Sequence, residues 1–187
     1  SPGTSRLVPG LTSNLAAMGP LAKFPDDNGL RLPPGFTSRV VARTNHPPTA
    51  RSSYVWHAAP DGGATYAAPD GGWVYVSNSE LPIIGGVGAL RFDARGDIVD
   101  AYAILEATQV NCAGGRTPWG TWLSCEEVLE GLVYECDPFG RFAAVARPAL
   151  GVFKHEAAAI DPVDHKVYLT EDQRDGRFYR FVPDRKS

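Results

Sequence analysis

The stretch NCAGGRTPWGTWLSCEE, residues 111–127, joins a turn to a strand. Its first part places Asn111 and Cys112 before two glycines, which is typical of a turn. Its second part, TWLSCE at residues 121–126, is a short apolar run that ends in a carboxylate. Apolar runs of this length, bounded by glycine and polar residues, indicate β-strands. The stretch therefore predicts a strand with polar and thiol side chains at its ends.

This strand has two counterparts elsewhere in the chain. Residues 73–80 (WVYVSNSE) and 166–172 (KVYLTED) have the same form, an apolar run followed by an acid. The acids at the ends of the three strands are Glu80, Glu126 and Glu171. They recur at intervals of roughly 45 residues, which is the kind of period found in repeat architectures.

A second strand of another shared form follows each of these acidic strands. It begins at a glycine and covers residues 88–93, 131–137 and 176–183. The first two continue through Asp-x-x-Gly tetrapeptides, which suit tight turns. Third strands are therefore predicted at residues 98–102 and 142–145.

Shorter first strands precede the acidic strands, at residues 111–113 and 155–162, and a third is expected near His57. Four strands in a period of about 45 residues are the signature of a propeller blade. We therefore predict an all-β chain that holds about three blades of a β-propeller. The alternative is a β-sandwich, which the recurrence of one acid at the same position of each repeat disfavours.

The chain divides by composition into two parts. Residues 1–35 are rich in Pro, Gly, Ser and Asn and predict an extended N-terminal arm. Residues 36–187 predict a partial propeller domain, with residues 36–43 as its first strand. Propellers close with about 4–8 blades, and three blades alone would leave open sheet edges. We expect the remainder of the propeller, in a longer protein, or a second copy of the chain to complete it.

Composition excludes several classes of protein. Hydrophobic residues make up 43% of the chain and charged residues 21%, as in ordinary globular domains. The net charge of −3 argues against a nucleic-acid partner, which would normally select a basic patch. There is no apolar run of about 18 residues, so no membrane span is expected. Three cysteines are too few, and odd in number, for a disulfide framework.

The repeat predicts that chemically active side chains converge. Equivalent positions on successive blades meet near one end of a propeller, so Cys112 and Glu156 should approach each other, as should Glu80, Glu126 and Glu171. Converging carboxylates repel unless a cation neutralises them. Oxygen ligands suit Ca²⁺ or Mg²⁺, whereas a thiolate among carboxylates favours iron or zinc. For each acid the alternative is a hairpin cap or a solvated surface group. Three polar residues lie beside the acidic strand ends: Asn78, Glu127 and Asp172.

Residues 111–127, together with HEAA at 155–158 and YLTED at 168–172, resemble the PhoX-type alkaline phosphatase family of bacterial phosphatases. Residues 28–36 (NGLRLPPGF) are similar to the same family. The resemblance implies a six-bladed propeller, of which this chain would hold about three blades. It also implies export to the periplasm or outside the cell, and a mixed iron–calcium centre that hydrolyses phosphomonoesters.

The resemblance implies particular metal ligands. Cys112 and Glu156 would bind iron, and Glu80 would be a further ligand because NSE at residues 78–80 stands where the family often has Asn-His-Glu. Three more candidates complete the predicted ligands: Asn111, Glu126 and Glu171. The family's later Asp-Arg-Pro-Glu segment, which supplies another metal ligand and a phosphate-binding arginine, does not occur here. We therefore expect this chain to hold part of the metal centre.

Three functions follow as hypotheses. The first is a metal-dependent phosphomonoester hydrolase, periplasmic or secreted, that acts on a small phosphorylated substrate with calcium and iron as cofactors. The second is a non-catalytic propeller that binds calcium for stability and presents its face to a partner. The third is a lactonase-like calcium propeller hydrolase, which would use Glu and Asn side chains and need no cysteine ligand.

Overall fold

The computed structural model describes residues 18–184, and the chain divides into two compact units, Ser1–Val40 and Val41–Ser187. The first 17 residues of the predicted N-terminal arm lie outside the described residues. Within residues 18–184, no helix is long and apolar enough to cross a membrane.

The described part of the first unit is organised around one carboxylate. Asp26 Oδ1 accepts hydrogen bonds from the backbone N–H groups of Asn28 and Leu30, at 3.0 and 2.9 Å. The Ser38 hydroxyl donates to the second oxygen of the same side chain. These bonds turn the chain back on itself, as Asx-type turns do. Residues 18–40 therefore form a folded loop held by side-chain hydrogen bonds.

The second unit consists of three antiparallel sheets, and none of them is closed. The first sheet has the order β1-β2-β3-β4, the second β5-β6-β7-β8 and the third β11-β10-β9. The strands are β1 (Pro60–Ala67), β2 (Trp73–Ser79), β3 (Gly85–Phe92), β4 (Ile98–Thr108), β5 (Gly115–Arg116), β6 (Trp122–Cys125), β7 (Val133–Cys136), β8 (Val145–Ala146), β9 (His155–Ile160), β10 (Val167–Glu171) and β11 (Phe178–Phe181). Within each sheet, strands that are consecutive in the chain are neighbours. The regular structure of residues 18–184 is almost entirely β-strand, so the all-β prediction is confirmed.

The predicted repeat of strands is confirmed with shifted ends. The three acidic strands are β2, β6 and β10, each the second strand of its sheet. Residues 142–145 contribute only Val145 to a strand. The prediction of a strand at residues 36–43 is wrong, because that segment forms none. Alternation produces a strand where one face becomes buried, whereas Phe36 and Val40 remain 51% and 48% exposed.

Two buried clusters pack the sheets face to face in chain order. One cluster joins the first sheet to the second, and its members are Tyr66, Val74, Val76, Val87, Ala89, Ile104, Trp122 and Cys136. The other joins the second sheet to the third, and its members are Cys112, Leu123, Cys125, Val133, Ala158, Val167 and Leu169. Each sheet therefore depends on its neighbour for burial of its apolar face.

The first strands of the three sheets lie side by side, and β5 contacts both β1 and β9. Gly114 donates its N–H to Glu156 O at 2.9 Å and accepts from Ala158 N at 3.0 Å. A Cβ at Gly115 would lie 1.7 Å from Ala158 O, and one at Gly62 would lie 2.1 Å from Ala113 O. Glycine is required at these positions because the main chains themselves are in contact.

A hydrogen-bonded pair covers the first sheet. Tyr54 Oη lies 2.9 Å from His57 Nδ1, and His57 Nε2 lies 3.3 Å from Ser77 Oγ. Gly88 makes room for the pair, since a Cβ there would lie 2.2 Å from Tyr54 Oη. Burial is the main cause that lowers the pKa of His57 from 6.5 to about 4. The imidazole is therefore neutral in the folded protein at neutral pH.

Substituting Gly115 by Ala should destabilise the protein by about 3 kcal/mol, because the added methyl group would push the second and third sheets apart. Gly120→Ala is the matched control: its φ is +89° but no atom lies within 4 Å of the added Cβ. The control should cost about 1–2 kcal/mol from backbone strain alone. Urea unfolding of both variants measures the difference, and equal losses would contradict the contact.

Stability should fall as the pH drops from 6.5 to 4. In that window the unfolded chain protonates His57 whereas the folded protein does not, because the folded pKa is about 4. The unfolded state therefore binds more protons, and stability rises with pH by up to about 3 kcal/mol from this group. Urea unfolding across this range should show a smaller slope for His57→Gln. An unchanged slope would show that His57 protonates freely in the folded state.

Candidate metal centre

The centre forms where the main chain before β5 lies between the end of β6 and the start of β9. Cys112 N donates to Cys125 O at 3.0 Å, and Asn111 forms an antiparallel bridge with Glu126. From the other side, His155 N donates to Glu126 O at 3.1 Å. Residues that are far apart in sequence are brought together here by backbone hydrogen bonds.

Three side chains converge at this junction. The sulfur of Cys112 and carboxylate oxygens of Glu127 and Glu156 all lie within 4.8 Å of one another. Cys112 is 1% exposed, and the two carboxylates are half-buried. The predicted approach of Cys112 to Glu156 is therefore present, and Glu127 joins them.

This donor set fits a metal ion. Metal–ligand bonds of about 2.0–2.3 Å place two ligands of one ion at most about 4.6 Å apart, close to the spread of these atoms. A thiolate with carboxylates is a mixed set that suits a transition metal, whereas the carboxylates alone would suit calcium. Neither metal is identified by the geometry.

The electrostatics of the centre favour a cation. Burial and then Glu127, Asp172 and Asp61 raise the pKa of Glu156. Burial and then Glu156 hold the pKa of the Cys112 thiol far above its usual range. Burial and neighbouring like charges therefore disfavour the charged form of both groups, and a bound cation would offset the desolvation and the repulsion. Binding of a metal ion by Cys112 would release the thiol proton.

Glu80 lies at the edge of the same group of acids. Burial and then Asp61 and Glu127 raise its pKa. Its backbone N–H donates to Ala59 O at 2.9 Å. The structure thus places Glu80 beside the cluster as a carboxylate that could serve a further cation.

Asn78 holds the main chain at Cys112 in place. Its Oδ1 accepts hydrogen bonds from Trp122 Nε1 at 2.9 Å and Ser124 Oγ at 3.0 Å. Its Nδ2 donates to the carbonyl oxygen of Cys112, and lies 3.3 Å from that of Ala113. Asn78 is fully buried and belongs to the first sheet, while its partners belong to the second and to the segment before it. It therefore positions the thiol from the neighbouring sheet.

Two of the predicted ligands, Glu126 and Glu171, hold hairpins. Glu126 is 6% exposed and accepts hydrogen bonds from the N–H groups of Gln109 at 2.9 Å and Leu132 at 3.1 Å. Glu171 accepts from Arg177 N at 3.0 Å and from the Tyr179 hydroxyl at 3.2 Å. The repeated acid thus matches the alternative of a hairpin cap, and ligation by these two stays a prediction.

Asn111 has its polar atoms engaged by protein groups. Its Oδ1 accepts a hydrogen bond from the Thr108 hydroxyl at 2.6 Å, and its Nδ2 donates to Ser124 Oγ at 2.9 Å. The side chain is fully buried. It is bonded into the framework beneath Cys112, and its role as a ligand also stays a prediction.

The sequence identified Glu127 only as a neighbour of the acidic strand ends. Both acids follow the end of β6: Glu126 holds the hairpin by accepting from Leu132 N, whereas Glu127 lies with Cys112 and Glu156. The available signal was this pairing of acids, but it does not tell which of them faces which side.

Comparison with known proteins identifies one family. The model of the family described as alkaline phosphatase PhoX matches residues 85–135 and 129–187. The matched region runs from β3 onward and contains all three members of the cluster. Among curated proteins, no relative matches the chain.

Adjacent acids offer a matched test of the site. Glu127→Gln should weaken binding of an added divalent transition metal at least about tenfold, because one charged ligand is removed. If Glu126 only holds the hairpin, Glu126→Gln should leave metal affinity unchanged but lower stability by about 1–3 kcal/mol, since one partly buried backbone N–H loses its acceptor. Calorimetric metal titration and urea unfolding of both variants give the two readouts. Equal loss of metal by both variants would contradict this division of roles.

Proposed function

The chain belongs to the PhoX alkaline phosphatase family, and we propose that it is a metal-dependent phosphomonoester hydrolase whose metal centre includes Cys112, Glu127 and Glu156. The observation that carries the proposal is the convergence of these three side chains within 4.8 Å. The family match over residues 85–187 supports a phosphatase-type function.

We propose iron at the thiolate and calcium at the surrounding carboxylates. Bound metal ions would neutralise the charge of the phosphate and activate a water molecule or oxygen nucleophile. The chain's own contribution is to hold ligands: Asn78 fixes the main chain at Cys112, while Glu127 approaches from the segment after β6 and Glu156 from β9. Glu80 and Asp61 add negative charge at the edge, which favours a second cation.

The architecture we propose is about three blades of a six-bladed propeller over residues 36–187, preceded by an arm at residues 1–35. Two features support it: the three sheets pack face to face in chain order, and their first strands lie side by side. The remainder of the propeller or a second copy would supply the other ligands. The substrate would be a small phosphorylated molecule, and the family resemblance favours a periplasmic or secreted protein.

The other two hypotheses can be compared by whether they require Cys112 as a metal ligand. A lactonase-like calcium propeller would need no thiol among its ligands, so the position of Cys112 in the cluster argues against it. A non-catalytic calcium-binding module is compatible with the carboxylates alone. The calcium-binding module would be favoured if the protein binds calcium but no transition metal.

The experiment is metal analysis followed by a hydrolysis assay. Protein reconstituted with iron and calcium should retain both metals and hydrolyse an aryl phosphate, and a chelator should abolish turnover. Cys112→Ala should lose iron and remain folded. Cys136→Ala is the control, because Cys136 is an equally buried free thiol in the other core cluster and should keep iron.

Two results would count against the proposal. Protein that binds neither metal after reconstitution would rule out the metal centre. Protein that binds both metals without hydrolysing the aryl phosphate would favour the binding module. Light scattering on the same sample reports whether the active species is one copy or an assembly of two.

A further inference from the structure

Lys154 lies beside the candidate metal centre and is held there by two hydrogen bonds. Its Nζ donates to Glu127 Oε1 at 2.8 Å and to the carbonyl oxygen of Asp172 at 3.1 Å. Its own carbonyl accepts from Asp172 N at 3.2 Å. The residue is thus fixed against the end of β10 at both its main chain and its ammonium group.

The ammonium is a cation at the edge of a strongly acidic region. The carboxylates that interact with Glu80 and Glu156 are those of Asp61, Glu127 and Asp172. A phosphomonoester dianion approaching these acids is repelled unless positive charge is present beside them. Lys154 supplies such a charge from the protein itself, next to one of the metal-binding carboxylates.

The ammonium also has a hydrogen-bond donor to spare. A lysine carries three N–H donors, and the contacts to Glu127 and Asp172 in the described residues use two of them. The side chain keeps 31% of its surface exposed, whereas Glu127 keeps 14%. The head group can therefore meet a ligand from solvent without leaving the carboxylate.

We propose that Lys154 binds a phosphoryl oxygen of the substrate through its third N–H while it remains bonded to Glu127. This role rests on the proposed function, because it assumes a phosphate group bound at the metal centre. A lysine suits it, since a compact charge on a flexible stem contacts one oxygen without the planar fork of an arginine. Lys154 would then be a specificity-determining residue for phosphorylated substrates.

A purely structural role makes a different prediction. If the ion pair only orients Glu127, removing the ammonium should change metal affinity and leave phosphate affinity at saturating metal unchanged. If Lys154 contacts phosphate, the change should appear in phosphate affinity of the fully loaded protein. The two readouts can be measured on one variant.

The test is Lys154→Met in the protein loaded with iron and calcium, with inorganic phosphate as the probe. Calorimetry should show phosphate affinity reduced about tenfold or more, the loss expected for a charged hydrogen bond. KM for the aryl phosphate should rise in parallel, and metal content should equal that of the wild type. Lys154→Arg should recover part of the affinity, because the charge is retained.

Lys166→Met is the matched control. Lys166 is 33% exposed and forms an ion pair with Asp164, but it lies at the opposite end of β10. Its variant should bind phosphate and metal as the wild type does.

The possible results distinguish failure of the role proposed for Lys154 from failure of the proposed phosphatase function. A loaded Lys154→Met protein whose phosphate affinity stays within twofold of the wild type would overturn the role of Lys154 alone. Loss of metal binding with unchanged phosphate affinity at saturation would do the same and assign the residue to positioning Glu127. Wild-type protein that binds no metal would overturn the proposed function, and this role with it, before any variant is compared.

Discussion

The structure depends on the direct main-chain contact between β5 and β9. Gly115 has no side chain, so the two strands come close enough for the neighbouring Gly114 to exchange hydrogen bonds with Glu156 and Ala158. Almost any side chain at Gly115 would hold them apart. Because the sheets meet at this point, Cys112 and Glu156 lie next to each other although more than forty residues separate them in the chain.

The same contact creates an electrostatic cost. It gathers a thiol and several carboxylates in a place that is partly shielded from water, and their pKa values rise because burial and like charges disfavour ionisation. Proteins tolerate such clusters where a bound cation or a catalytic task uses them. The ammonium of Lys154 offsets only part of the negative charge, which leaves the cluster suited to metal ions.

Hydrogen bonds form a framework around the cluster of Cys112 and the carboxylates. Asn78 uses both atoms of its amide to join the first sheet to the second beneath Cys112. Glu126 and Glu171 accept backbone N–H groups and close the hairpins that flank the site. Two of the three repeated acids, Glu126 and Glu171, thus build the scaffold, while Glu127 and Glu156, which are not part of that repeat, face the centre. In the Glu126–Glu127 pair, the first acid belongs to the framework and the second to the metal centre.

The all-β class, the order of the strands and the repeat follow from the amino-acid sequence, because alternation, turn residues and period are local properties. It also pointed to Cys112 and Glu156 through the repeat and the family resemblance. Only the tertiary structure showed that Glu127 completes the cluster, that Glu126 and Glu171 hold hairpins, and that residues 36–43 form no strand. Those outcomes depend on which side chains become covered in the folded protein: Glu127 lies with Cys112 and Glu156, whereas Phe36 and Val40 remain exposed.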